Sequence, residues 1–230
     1  VELGMKHISE GTDHLLFLFL LLLPIPIFIH PLTKKQTQRT IRESGWLIFQ
    51  VVTAFTIGHS MTLLIGGTRF ITLPSQGIEI LIGISILLTA IHVVYPVFPD
   101  REKRIALGFG LIHGLAFATT ISPMYLNIYQ QIASIIGFNL GIEIMQIGII
   151  LFVLPGLYLM SKTNYYLFFI RGMGLLGIVA SIGWIWERVT GDVNGVTRWI
   201  SYFEESIISI YLGFLLLAFL LFGWQKKKSL

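Results

Sequence analysis

Ionisable side chains interrupt the apolar blocks of this 230-residue chain, which contains six histidines and no cysteine. Those within or at the ends of the blocks, with two amides beside them, are Asp13, His14, His59, Glu79, His92, His113, Asn139, Glu143, Gln146 and Arg171. Such a side chain inside a membrane helix costs about 2.5–3.5 kcal/mol on insertion scales, so each is a functional candidate. Imidazole and carboxylate without sulfur suit divalent zinc, nickel, cobalt or iron. The residue types therefore predict a site for a divalent metal ion.

Spacing near the start of the chain is compatible with several ligands for one ion. Glu10 and His14 are four residues apart, as two ligands on one helix face would be. His7 and His14 also share a face, but they would stand about 10 Å apart on a continuous helix. Both can bind one ion only if the chain breaks between them, and Gly11 is the expected place.

A second set of polar residues follows helical spacing further along the chain. Asn139 and Glu143 are four residues apart, and Glu143 and Gln146 are three apart. All three therefore line one face of a helix. Below Gln146 the same helix continues with apolar residues, which leaves no polar group along its inner half.

Composition places these residues in a membrane protein. Hydrophobic residues make up 54% of the chain and charged residues 12%, with a mean hydropathy of +0.79. Soluble domains average about 25% charged residues, so an ordinary soluble enzyme is excluded. The net charge of +4 is scattered between apolar blocks, which argues against a nucleic-acid-binding patch. The absence of cysteine excludes disulfides, thiolate nucleophiles and thiolate metal ligands.

The apolar blocks predict an all-α bundle of seven transmembrane helices that form a single domain over residues 1–230. A spanning helix needs roughly 20 apolar residues. The expected spans are approximately 12–31, 46–66, 77–98, 104–122, 132–160, 165–187 and 204–224. Pro24 and Pro26 in the first span and Pro155 in the fifth predict kinks.

The distribution of lysine and arginine predicts the orientation of this bundle. Eleven of the 16 basic residues fall in the linkers after the first, third, fifth and seventh spans, and four fall on the opposite side. The positive-inside rule then puts the N-terminus outside and the C-terminus in the cytoplasm. The chain begins at Val1 without a signal-peptide pattern, so we expect a processed or trimmed start.

In this orientation several helices bring ionisable groups to the same depth. The band between the outer interface and the midplane would contain Asp13, His14, His59, Glu79, His113 and Glu143. Histidines with unrelated structural roles would have no reason to share a depth, so a cluster is expected. His30 and His92 lie near the cytoplasmic ends and are interpreted as interfacial or structural. Arg171 can extend its side chain to the lipid headgroups.

Such a cluster fits a carrier, a metalloenzyme or a metal-stabilised scaffold. A hydrolase would need an open coordination position and a general base, for which Glu143 or Glu79 could serve. A carrier would need a path on both sides of the site. The chain contains no H-E-x-x-H, G-x-S-x-G, P-loop or dinucleotide motif. His59 and Ser60 point about 100° apart on a helix, which is poor geometry for a serine-based triad.

Five motifs, in order, resemble the HupE/UreJ membrane proteins over about residues 4–160. They are H-x5-D-H within 4–17, F-T-I-G-H-S at 55–60, Glu79 with S-I-L-L at 85–88, H-G-L-A-F-A at 113–118 and F-N-L-G-I-E-I-M-Q at 138–146. The family is described as nickel or cobalt permeases and as accessory proteins near hydrogenase and urease genes. The resemblance implies metal ligands at His7, Asp13 and His14, with His59, His113 and Glu143 as further candidates. The expected supporting polar residues are Glu10, Ser60, Glu79, Asn139 and Gln146.

The favoured interpretation is a gradient-driven nickel or cobalt permease in a bacterial inner membrane. The alternative is an intramembrane metal-dependent hydrolase or protease that acts on lipid-embedded substrates. The expected ion is nickel, cobalt or zinc. The expected surroundings are the lipid bilayer and a membrane or extracytoplasmic protein partner, without nucleic acid.

Overall fold

A computed structural model describes residues 1–29, 36–67, 74–121, 127–204 and 206–228. The described residues form nine helices and one short hairpin, so the fold is all-α as predicted. In chain order the elements are α1 (Glu2–Glu10), α2 (Thr12–Leu22), β1 (Ile27–Ile29), β2 (Gln36–Gln38), α3 (Ile41–Gly67), α4 (Ser75–Val94), α5 (Glu102–Ile121), α6 (Ile128–Ser161), α7 (Tyr166–Thr190), α8 (Gly195–Glu204) and α9 (Ile207–Lys228).

Five of the described helices are long and apolar enough to cross a membrane. Their apolar stretches are Ile41–Gly66, Ser75–Val94, Ile132–Ser161, Tyr166–Thr190 and Ser209–Lys227. The other two predicted spans correspond to α2, an apolar helix of 11 residues, and α5, a helix of 20 residues whose first three are charged. The number of spans and the orientation of the termini therefore stay predictions.

The predicted first span, 12–31, is wrong in its second half. Helix α2 ends at Leu22, and the chain turns and enters the β1–β2 hairpin, in which Ile27 pairs with Gln38. Pro24 and Pro26 have no backbone N–H and clash with the preceding helical turn, so they end the helix where a kink was predicted. His30 lies outside the described residues.

Helices α3 and α5 pack with their backbones in close approach, and they carry two of the candidate histidines. The contact is built on glycines: a Cβ at Gly110 would overlap the carbonyl oxygen of Phe55, and one at Gly58 would overlap that of Leu107. Glycine removes the side chain that would otherwise separate two helices in a membrane. Consequently His59 and His113 are held at a fixed separation by backbone contact.

Helix α1 is docked on α6 in the same way. A Cβ at Gly4 would overlap the carbonyl oxygen of Phe138, and one at Gly141 would overlap that of Val1. Ile8 and Ile142, 2% and 1% exposed, complete this contact. The docking places His7 of α1 beside Phe138 of α6.

We predict that cysteines introduced at Thr37 and Ser75 will label from opposite sides of the membrane. Both residues are exposed and α3 runs between them, so a single crossing separates them. The charge distribution puts Ser75 outside. An impermeant thiol reagent on intact cells reports each position, because the chain has no native cysteine to label. Labelling of both positions from the same side would show that α3 does not span.

Candidate metal centre

The chain breaks at Gly11, as the spacing of His7 and His14 predicted. Gly11 has extended backbone (φ −85°, ψ 93°) between α1 and α2. The break brings the two imidazoles together, with ring centroids 4.6 Å apart and planes at 67°. A continuous helix would have separated the rings by about 10 Å.

Four histidines from α1, α2, α3 and α5 form a single buried cluster. The ring of His14 lies 5.1 Å from that of His113, and the ring of Phe55 contacts both His113 and His59, at 5.4 and 6.1 Å between ring centroids. Phe138 of α6 contacts both His7 and His59, at 5.6 and 6.3 Å between ring centroids. His14, His59 and His113 are 9%, 1% and 0% exposed. The structure therefore brings these histidines into one cluster.

Asp13 fixes the orientation of the His14 ring. Its Oδ1 accepts hydrogen bonds from the backbone N–H of His14, at 2.9 Å, and from Nδ1 of the same residue, at 2.8 Å. A carboxylate can only accept, so Nδ1 carries the proton and the lone pair of His14 is on Nε2. Asp13, predicted as a metal ligand, thus lies behind His14 as its hydrogen-bond acceptor.

Asn139 fixes the orientation of the His59 ring, as Asp13 does for His14. Its Nδ2 donates to the carbonyl oxygen of Ile135 at 2.9 Å, which turns Oδ1 toward the ring. Nδ1 of His59 lies 3.2 Å from that oxygen and donates to it. The lone pair of His59 is consequently on Nε2.

Ser85 of α4 orients the third ring. Its hydroxyl donates to the carbonyl oxygen of Ile82 at 2.7 Å, so Oγ is left to accept from Nε2 of His113 at 3.0 Å. The lone pair of His113 is then on Nδ1. Ser85 begins the S-I-L-L motif at 85–88 but was not among the predicted site residues. The only sequence signal for its contact with His113 was the presence of a polar residue inside an apolar helix.

Three ring nitrogens thus carry buried lone pairs without a hydrogen-bond donor among the described residues. They are Nε2 of His14, Nε2 of His59 and Nδ1 of His113. Metal-binding histidines characteristically donate their other N–H to a carboxylate, a carbonyl or a similar acceptor. In the described part of the chain, no group of three or more His, Asp or Glu side chains is arranged so that it could hold a metal ion. The donors nevertheless fit a divalent transition metal by their chemistry and their unsatisfied nitrogens.

An aromatic layer closes one side of the cluster; we call Phe17, Phe55 and Phe109 the aromatic floor. Phe17 follows His14 by three residues, whereas Phe55 and Phe109 precede their histidines by four, so each lies one helical turn from a histidine. Phe17 lies 5.5 and 5.7 Å from Phe55 and Phe109, between ring centroids. The ring of His113 contacts Phe17 and Phe55 at 4.9 and 5.4 Å.

The remaining predicted site residues lie at the edge of the cluster or beyond it. Glu143 is half-buried, and no hydrogen bond or ion pair among the described residues joins it to a histidine. Gln146 is buried and accepts from Thr56 at 3.4 Å, while Ser60 donates to the carbonyl of Thr56. Glu79 is 49% exposed and pairs with Arg188. The side chain of Glu10 lies outside the described residues.

His92 lies apart from the cluster, as its predicted structural role requires. Its Nδ1 accepts the backbone N–H of Phe98 at 3.1 Å, and its ring stacks on that of Phe98. It fastens the turn that follows α4.

His7 lies on α1, a helix that is not one of the candidate spans. Burial and the neighbouring imidazole of His14 lower the pKa of His7 to about 4. His7 is therefore neutral at neutral pH, and its ring is available as a metal ligand without the release of a proton from an imidazolium.

Comparison with known proteins decides the family. The HupE / UreJ protein family matches residues 1–188, which include all four histidines of the cluster. The chain belongs to the HupE/UreJ family. No curated protein and no solved structure matches it. The long apolar helices identify this HupE/UreJ protein as a multi-pass membrane protein. Helices α8 and α9 follow the part of the chain that matches the family.

Proposed function

We propose that this protein is a nickel or cobalt permease whose ion, as transported substrate, binds to His14, His59 and His113. The observation that supports this most is the set of three buried lone pairs, each on a ring whose other nitrogen is held by Asp13, Asn139 or Ser85. Unpaired polar atoms in a membrane interior are costly unless something binds them. Nitrogen ligands suit Ni²⁺ and Co²⁺. The HupE/UreJ family adds support for metal transport.

Helix α4 carries polar side chains along one face, whereas α6 continues with apolar residues after Gln146. Ser85 and Thr89 are four residues apart and therefore share one helix face. Thr89 is 4% exposed and donates to the carbonyl oxygen of Ser85 at 2.8 Å. In a permease this face would accompany the ion beyond the aromatic floor, which must open in each transport cycle.

The aromatic floor favours one alternative, an intramembrane metal-dependent hydrolase. Three buried phenylalanines close the cluster on one side. A closed side is what an enzyme would need if its metal ion stays bound and is never released in that direction. In such an enzyme Glu143 would act as general base or acid beside metal-bound water.

The substitution Glu143→Gln distinguishes the two functions. It preserves shape but removes a charge at the edge of the cluster, so in a permease nickel and cobalt uptake into proteoliposomes should fall at least tenfold. In a hydrolase the same change should lower turnover by about 10²–10⁴-fold with the metal still bound. Asp192→Asn, a change at an exposed carboxylate, is the matched control.

Uptake by the parent protein is the decisive measurement. The hydrolase would be the correct function if three results were obtained together. The parent would take up no metal, the parent would cleave a lipid or peptide substrate, and Glu143→Gln would still retain its metal.

A further inference from the structure

Arg188, near the end of α7, joins two other helices at the edge of the histidine cluster. Its Nη2 lies 3.5 Å from Oδ2 of Asp13 on α2, and its Nε lies 3.5 Å from Oε2 of Glu79 on α4. Its carbonyl oxygen accepts a hydrogen bond from Nε2 of Gln76 at 2.7 Å. In the sequence Arg188 is only one basic residue at the end of an apolar block.

The two oxygens of Asp13 have separate partners. Oδ1 accepts both hydrogen bonds from His14, and Oδ2 faces the guanidinium of Arg188. The side chain of Asp13 is only 20% exposed and that of Arg188 21%. Arg188 thus faces one oxygen of the carboxylate while His14 occupies the other, which fixes the orientation of the carboxylate between them.

Exposure decreases along this series of side chains toward the cluster. The side chains of Glu79, Arg188, Asp13 and His14 are 49%, 21%, 20% and 10% exposed, and His113 is fully buried. Arg188 therefore stands between the solvent-facing carboxylate and the carboxylate that holds the first buried imidazole.

We propose that Arg188 is a positioning residue for the metal site, which acts on His14 through Asp13. By holding Oδ2, the guanidinium keeps the carboxylate turned so that Oδ1 binds Nδ1–H of His14. The Nε2 lone pair then points away from Asp13. This inference rests on the proposed function, because the purpose of that orientation is to bind the transported ion.

The variants are Arg188→Gln and Arg188→Lys, with Arg198→Gln as a matched control at an exposed arginine on α8. Outer-shell partners of metal ligands typically change metal affinity 10–100-fold. We expect Arg188→Gln to weaken Co²⁺ binding 10–100-fold in titrations of the purified protein. Arg188→Lys should lie between parent and Gln, because a lysine retains the charge but not the two-armed geometry. Arg198→Gln should bind as the parent does.

A second readout needs no metal. In the metal-free parent, nitrogen-15 NMR of the imidazoles should show His14 protonated on Nδ1 alone. In Arg188→Gln the His14 ring should become a mixture of the two tautomers. In Arg188→Lys the fraction protonated on Nδ1 should lie between those of Arg188→Gln and the parent. If the parent binds no Co²⁺, the proposed function fails while the ring signals still test Arg188.

A purely structural role for Arg188 predicts a different result. Arg188→Gln would then lower the melting temperature and leave the His14 ring signals and the Co²⁺ affinity of the folded fraction unchanged. That outcome overturns the proposal. Arg188→Lys provides the same comparison if Arg188→Gln does not fold.

Discussion

Replacement of His113 by alanine is expected to weaken Co²⁺ and Ni²⁺ binding by more than about a hundredfold. Loss of an outer-shell partner alone costs 10–100-fold, and His113 would contribute a ligand atom directly. The same variant should abolish uptake into proteoliposomes. His113 is fully buried between Ser85 and the aromatic floor, so no other described histidine can take its place without rearrangement of α5.

Two controls separate loss of a ligand from loss of the fold. His113→Gln fills more of the buried volume than alanine does and should melt closer to the parent while binding the ion almost as poorly. His92→Ala removes a histidine whose ring is committed to the turn at Phe98 and should leave Co²⁺ affinity unchanged. Parent-like Co²⁺ affinity in a folded His113→Ala protein would exclude the three-histidine site.

The second large effect is expected at Gly110, whose replacement by alanine would force α3 and α5 apart. The added Cβ would overlap the backbone carbonyl of Phe55, which cannot rotate out of the way. Overpacking of this kind costs about 1–3 kcal/mol and more where backbone must move. We expect the melting temperature to fall by about 5–10 °C. Co²⁺ affinity should fall with it, because the distance between His59 and His113 would change.

Gly108 on the same helix is the matched control for Gly110. A Cβ at Gly108 would meet nothing within 4 Å, so Gly108→Ala adds the same atom without a steric clash. Alanine also favours helix over glycine by up to about 1 kcal/mol, so this variant should be as stable as the parent or slightly more so. Equal melting temperatures for the two variants would show that close packing of α3 on α5 does not limit stability.

Local geometry explains why the sequence predicted some features of the site. The rise of a helix is fixed at about 1.5 Å per residue, so one ion could bind both His7 and His14 only if the chain broke between them, and the structure has that break at Gly11. Counting along helices also predicted a shared depth in the membrane, and the structure brings His14, His59 and His113 into one cluster. The depth itself stays a prediction.

Other expectations failed or stayed untested because they depend on neighbours in space. The first span was expected to extend to residue 31, but α2 ends at Leu22 before its prolines. Helical spacing put Glu143 on one face with Asn139 and Gln146, yet it is half-buried while the other two are buried. Rotation of a helix about its axis is set by what packs against it, which periodicity cannot specify.

The sequence by itself determined the chemistry available to this protein: histidine and carboxylate without sulfur, set in apolar helices and shared among them. Only the tertiary structure decided which nitrogens of His59 and His113 are unpaired, because Asn139 on α6 and Ser85 on α4 fix these two rings from neighbouring helices. It also decided that Arg188 stands behind Asp13. The physical reason is that hydrogen bonds between helices depend on separations of a few tenths of an ångström. Glycine contacts between backbones set the separation of α3 from α5 and of α1 from α6, and the spacing of residues along one helix does not specify such contacts.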